Sequence, residues 1–165
     1  MTKRMAILGC GAVGGSLGAY LLKAGHEVTL IDQWAEHVDK IRRTGLKLTE
    51  PNQEFVVQAK ALHISDVSSI KDKFDIVFLS VKSFDTRWSA YLIEPFLDPA
   101  GFIVPIQNSL NDELVASIVG FPRTIGCVTT IDAELLAPGH VVRLDFENNE
   151  CFVVGELHGL SLIHI

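Results

Sequence analysis

The sequence predicts an α/β fold: a doubly wound, mostly parallel sheet with an antiparallel extension at its C-terminal end. Three observations lead there. Short apolar runs of strand length alternate with amphipathic stretches of helical length, the pattern of βαβ units. The strongest run, Asp75 to Val81, is almost continuously apolar, as a strand covered on both faces must be. The last two runs, His140 to Leu144 and Cys151 to Val154, have no helix between them, so an antiparallel extension is expected there.

Met5 to Leu8 reads as a buried strand ending at Gly9. Ala12 to Lys23 carries small and apolar residues at helical spacing, with Gly25 just past its end. Glu27 to Ile31 is a β-branched strand closed by Asp32. Ala35 to Arg43 reads as a helix with Val38 and Ile41 facing inward, stopped at Gly45. Leu46 to Thr49 and Phe55 to Ile64 read as two strands joined around Pro51-Asn52, and Val67 to Ile70 as a short helical piece. After the Asp75 strand come a helix from Thr86 to Ile93, a turn at Pro99-Ala100-Gly101 and a strand from Phe102 to Ile106. Asp112 to Val119 reads as a helix with an acidic first turn, which suits the helix dipole. Thr124 to Thr130 is a further strand, and Pro138-Gly139 marks the turn before His140.

The 165 residues suit one domain with a real core. A net charge of -6 argues against nucleic acid as the partner. Cys10, Cys127 and Cys151 are odd in number and form no CxxC. They read as reduced, buried packing residues of a cytoplasmic protein. Met5 to Leu8 is too short for the apolar part of a signal peptide, and no run reaches the length of a membrane span. No HExxH or GxSxG occurs. His26, His37, His63 and His140 lack metal-ligand spacing and read as surface or turn residues, so no metal is expected. Leu160-Ser161-Leu162-Ile163-His164-Ile165 is what CTG TCT CTT ATA CAC ATC encodes, a string that resembles a transposon end used in sequencing-library preparation. The expectation is a native domain over 1–159, a non-native tail over 160–165, and a fragment of a longer gene.

Gly9-Cys10-Gly11-Ala12-Val13-Gly14 is GxGxxG, directly after a strand and opening a helix. In that context it is the fingerprint of a Rossmann dinucleotide site. Gly9 permits the tight turn, Gly11 the approach of backbone to pyrophosphate, and Gly14 close helix–sheet packing. The N–H groups of the helix start then face the phosphates. Asp32 closes the second strand 18 residues after Gly14, near the ~20 expected for the acid that binds the ribose hydroxyls. Its charge repels a 2′-phosphate, and Gln33 and Trp34 bring no cation, so Asp32 favours NAD(H) over NADP(H). FAD uses the same pattern but usually in larger chains.

From Met5 to about Glu156 the chain resembles the ketopantoate reductase (2-dehydropantoate 2-reductase) family, over that family's N-terminal domain only. The resemblance rests on GCGAVGG at Gly9, Ser80-Val81-Lys82, Pro105-Ile106-Gln107-Asn108, the segment from Gly126 to Glu134, Pro138-Gly139-His140-Val141 and Val154-Gly155-Glu156. It implies that Lys82 reaches the cofactor, that Asn108 lies near nicotinamide and substrate, and that Ala133 lies against the nicotinamide part. Ser109 stands where that family usually has glycine, which puts the local turn in question. NADP(H) is the family norm, and Asp32 departs from it towards NAD-dependent relatives acting on other branched 2-keto acids. The implied reaction is NAD(P)H-dependent reduction of a 2-keto acid, a small molecule, to a 2-hydroxy acid. The proton-handling lysine belongs to a second, helical domain, so no catalytic residue is expected in this chain. Two alternatives remain: a stand-alone dinucleotide-binding or redox-sensing module, and a dehydrogenase of another Rossmann class. Oligomeric state stays open.

Overall fold

The computed structural model describes residues 3–144 and 151–157. A central parallel sheet is built from β1 (Arg4–Leu8), β2 (Glu27–Asp32), β5 (Lys60–His63), β6 (Phe74–Leu79) and β7 (Leu97–Pro105). Their spatial order is β5-β2-β1-β6-β7, every pair parallel. β8 (Ile125–Thr129) begins next to β7 through a parallel bridge between Ile103 and Thr124. The succession is that of a doubly wound dinucleotide fold, and the strand order reverses between β1 and β6. β11 (Phe152–Glu156) then pairs antiparallel with β8.

Four helices cover the sheet: α1 (Ala12–Lys23), α2 (Ala35–Thr44), α3 (Thr86–Ile93) and α4 (Asp112–Val119). Ala6, Ile7, Leu8, Leu30, Ile31, Val77, Leu79 and Ile103 are fully buried between the layers. These are the apolar runs of the sequence, and burial on both faces is why they do not alternate.

A second sheet, in the order β4-β3-β10-β9, packs on the far side of α1. It comprises β3 (Leu46–Thr49), β4 (Glu54–Val57), β9 (Ala133–Ala137) and β10 (His140–Arg143). Helix α1 is therefore clasped between two sheets, and its glycines allow the fit. A Cβ on Gly18 would lie 2.8 Å from Leu30 Cδ2, towards the parallel sheet. A Cβ on Gly15 would lie 2.8 Å from Val141 Cγ2, towards the second.

Several expectations need correction. The stretch from Phe55 to Ile64 is two strands in different sheets: β4 pairs antiparallel with β3, and β5 parallel with β2. The helical piece is a 3₁₀ turn over Ile64–Ser69. The turn at Pro99-Ala100-Gly101 lies inside β7, whose register against β6 shifts between Phe74 and Ile76. The turn chemistry survives there as an Asp98 side chain accepting from the Ala100 amide at 2.9 Å. The last two strands do not pair with each other: β10 joins β3 and β9, whereas β11 joins β8. β9 is an additional strand. The expected boundary at 159 and the tail over 160–165 lie outside the described residues. Among the described residues no helix is long and apolar enough to cross a membrane, and no cluster of His, Cys, Asp or Glu is arranged to hold a metal ion.

Candidate functional site

Open parallel sheets offer a ligand crevice at the carboxyl ends of the strands where the order reverses. Here those ends are Gly9, after β1, and Ser80, after β6, and they touch. Gly9 has φ +91°. A Cβ on it would lie 2.7 Å from Val81 N and 2.8 Å from Ser80 C, so only glycine fits both the turn and the contact. A Cβ on Gly14 would collide with the Gly9 carbonyl oxygen and lie 2.9 Å from Ile7 Cγ2. Gly11 differs: nothing in the protein lies within 4 Å of a Cβ built there.

Two adjoining clefts open at this point. One, of about 260 Å³, is lined by Gly9, Gly11, Asp32, Trp34, Ile64 and Leu135 among others. The other, of about 150 Å³, is lined by Gly11, Ala12, Val13, Ile106, Gln107 and Asn108 among others. Gly11, Ser80, Val81 and Lys82 line both. The result is an elongated groove with the start of α1 at its middle. A larger hollow, of about 430 Å³ and bordered by Tyr20, Arg143 and Phe152, shares no lining residue with either cleft.

Asp32 uses both carboxylate oxygens on backbone donors. Oδ2 accepts the Cys10 amide at 2.8 Å and Oδ1 the Trp34 amide at 2.9 Å. Each oxygen keeps a second lone pair, and the residue still lines the first cleft. Cys10 is buried, with its side chain in the core. Burial pushes its thiol well above the usual range, and the Asp32 charge adds to the effect, so the thiol stays protonated. Arg42 is turned away from the groove and engaged with Ala61 O and with the Asp66 and Asp39 carboxylates. Lys82 is the one cation among the described residues lining the two clefts.

The loops bearing Lys82 and Asn108 are stitched together. Gln107 Nε2 donates to Val81 O at 2.7 Å and to Thr86 Oγ1 at 2.8 Å. Ser83 Oγ donates to Asn108 O at 2.8 Å, and Asn111 Nδ2 donates to the same oxygen at 3.0 Å. Ser109 adopts φ +79°, so the turn keeps a glycine-like backbone although the residue is serine.

Of the sequence-derived residues, Gly9, Gly11, Ala12, Val13, Asp32, Lys82 and Asn108 line the groove. Cys10 and Gly14 lie beneath it. Ala133, at the start of β9, lines neither cleft and packs in the cluster between α1 and the second sheet. Its strand-mate Leu135 lines the first cleft instead. Trp34, Ile64 and Gln107 also line the groove and were not among the expected site residues. The position of Trp34 and Ile64 just past the ends of parallel strands was the available sign. His37 is a correction: it is fully buried, not a surface or turn residue. Its spacing of four from inward-facing Ile41 placed it on the apolar side of α2.

Comparison with known proteins agrees with this fold. The 2-dehydropantoate 2-reductase of Nostoc sp. (strain PCC 7120) is 28% identical over 162 residues, covering 96% of this chain and 48% of the relative. The crystal structure of 2-dehydropantoate 2-reductase from Geobacter metallireducens GS-15 superposes with a TM-score of 0.81 at 28% identity, covering 93% of this chain and 49% of that one. The ternary structure of D-mandelate dehydrogenase with NADH and anilino(oxo)acetate superposes with a TM-score of 0.78 at 26% identity, covering 86% and 45%. The chain thus spans about half the length of the relatives it matches. Residues 5–158 match the family described as Ketopantoate reductase PanE/ApbA, and the chain belongs to that family.

Proposed function

We propose that this chain is the dinucleotide-binding part of a reductase that converts a 2-keto acid to a 2-hydroxy acid, with NAD(H) preferred to NADP(H). The observation that carries the cofactor reading is Gly11. Gly9 and Gly14 are required by the protein's own packing, whereas a side chain on Gly11 would meet only the groove. The space a Cβ would take is the space a pyrophosphate needs. The fit extends both ways along the groove. Asp32 has lone pairs for ribose hydroxyls and repels a 2′-phosphate. With Arg42 and Arg43 held elsewhere, no cation beside it offsets that repulsion. Lys82 sets a positive charge at the groove's centre, and Asn108 supplies an amide that can both donate and accept at its far end.

When bound, the dihydronicotinamide supplies the hydride. The chain's own residues bind, orient and neutralise. Residues 1–159 hold the cofactor in this proposal. The group delivering the proton belongs to the part of the relatives' length that the chain does not span. Ketopantoate or a related branched 2-keto acid is the substrate proposed on the strength of the family.

Calorimetric titration of the full chain with NADH and NADPH tests this. Binding of NADH at least tenfold tighter than NADPH is expected. Equal or reversed affinities overturn the Asp32 argument, and binding of neither overturns the cofactor reading. Oxidation of NADH on adding ketopantoate to the chain alone would overturn the division of labour.

A further inference from the structure

We infer that His37 is a positioning residue for the dinucleotide: its buried ring aims the phosphate-facing amide of Gly11 into the groove. The inference rests on the cofactor reading above and adds a residue to it.

His37 lies on α2 with no exposed surface. Its Nδ1 accepts the Gly139 amide at 2.9 Å. Its Nε2 lies 3.0 Å from the Cys10 carbonyl oxygen. An amide can only donate and a carbonyl can only accept, so the two partners select one form of the ring. That form is neutral, with the proton on Nε2 donated to Cys10 O. The alternative tautomer would set N–H against N–H and lone pair against carbonyl.

The consequence runs through one peptide plane. Among the described residues every peptide bond is trans, that between Cys10 and Gly11 included. In a planar trans peptide the carbonyl and the following N–H point in opposite directions. Holding Cys10 O against the buried ring therefore turns the Gly11 N–H the other way, and Gly11 lines both clefts. The preceding peptide is held as well, since Asp32 Oδ2 takes the Cys10 N–H. Cys10 is thus clamped on both sides, by Asp32 from β2 and His37 from α2.

The same ring reaches the second sheet. Gly139 forms the turn between β9 and β10, and its carbonyl in turn accepts the Lys47 amide at 2.9 Å. The face of the ring stacks on Trp34, with centroids 5.8 Å apart and planes 12° apart. Trp34 and Leu135 of β9 both line the first cleft. One side chain thereby sets the phosphate loop, an aromatic wall and the cover strand in mutual register.

The test uses the full chain and two variants, His37→Leu and His37→Gln. Leucine keeps apolar bulk and removes both hydrogen bonds. Glutamine keeps a donor and an acceptor on one planar group. Folding is checked by circular dichroism, and binding of ADP-ribose and of NADH by calorimetry. Ligand-free ¹⁵N NMR of the wild type reads the imidazole tautomer directly. The expected result is an Nε2–H ring, a loss of about tenfold in affinity for both ligands in His37→Leu, and recovery to within about threefold in His37→Gln. A folded leucine variant with wild-type affinity overturns the inference, as does a glutamine variant as weak as leucine. If the leucine variant fails to fold, the glutamine variant and the tautomer decide: a protonated or Nδ1–H ring at neutral pH overturns it. A wild type that binds neither ligand overturns the cofactor reading itself, a failure distinct from these.

Discussion

Asp32 Oδ2 accepts the Cys10 amide at 2.8 Å, so the carboxylate proposed to meet the ribose also holds the loop proposed to meet the phosphates. Asp32→Ala removes both functions, and Asp32→Asn keeps an oxygen acceptor but loses the charge. Hydrogen bonds to a charged acceptor contribute about 1.5–3 kcal/mol. Asp32→Ala is therefore expected to lower stability by roughly that amount and to weaken NADH binding more than about tenfold. Asp32→Asn should narrow the gap between NADH and NADPH, chiefly by admitting NADPH. Titration of both variants with both dinucleotides measures it.

Gly11 and Gly14 should respond oppositely to the same substitution. Gly11→Ala places a methyl group where no protein atom lies within 4 Å. Its stability should fall by less than about 1 kcal/mol, with NADH affinity lost. Gly14→Ala forces a methyl group onto the Gly9 carbonyl and Ile7, and should cost about 1–3 kcal/mol or more by overpacking. Urea denaturation alongside calorimetry separates the two.

Ser109 holds φ +79° without being glycine, a conformation that costs an L-residue roughly 1–2 kcal/mol. Ser109→Gly relieves that strain and gives back part of it through the greater freedom of glycine in the unfolded chain. A net gain of up to about 1 kcal/mol in urea denaturation is expected. NADH affinity should be unchanged, because the turn that presents Asn108 already has the glycine-like shape.

Asp75 governs part of the acid response. The Arg4 amide, with Lys3 beside it, holds its carboxyl below the usual 3.8. A carboxylate with a lowered folded pKa adds stability that is fully present above the unfolded value. That stability is lost as pH falls through the lower folded value. Urea midpoints measured from neutral pH down to the acid limit should therefore drop below about pH 4. Asp75→Asn should be less stable at neutral pH and lose less on acidification.

Much of this fold was legible because burial on both faces leaves an unmistakable mark. Helices α1, α3 and α4 begin and end where the apolar spacing places them. β1, β2 and β6 coincide with the buried runs to within a residue or two. What escaped had another cause. Ala133 to Ala137 reads Ala-Glu-Leu-Leu-Ala, a set of good helix formers. It is a strand because β10 pairs with it, which local sequence does not encode. Gln58-Ala59, where the chain leaves one sheet for the other, carries no turn residue. Gly9, Gly11 and Asp32 were legible because the dinucleotide fingerprint they match has a fixed spacing. His37 was not, since its two partners are backbone groups 27 and 102 residues away in sequence.

The clasp around α1 has a consequence for how the chain acquires its structure. The second sheet closes by pairing Lys47 with His140, a contact spanning more than half of the chain. Until β10 has been synthesised, the face of α1 at Gly15 has no cover from Val141. The parallel core on the other face can form from earlier residues. Distant pairings are slow to form, and uncovered apolar surface invites aggregation meanwhile. Folding during translation should therefore be completed only once β10 has emerged and docked beside β3.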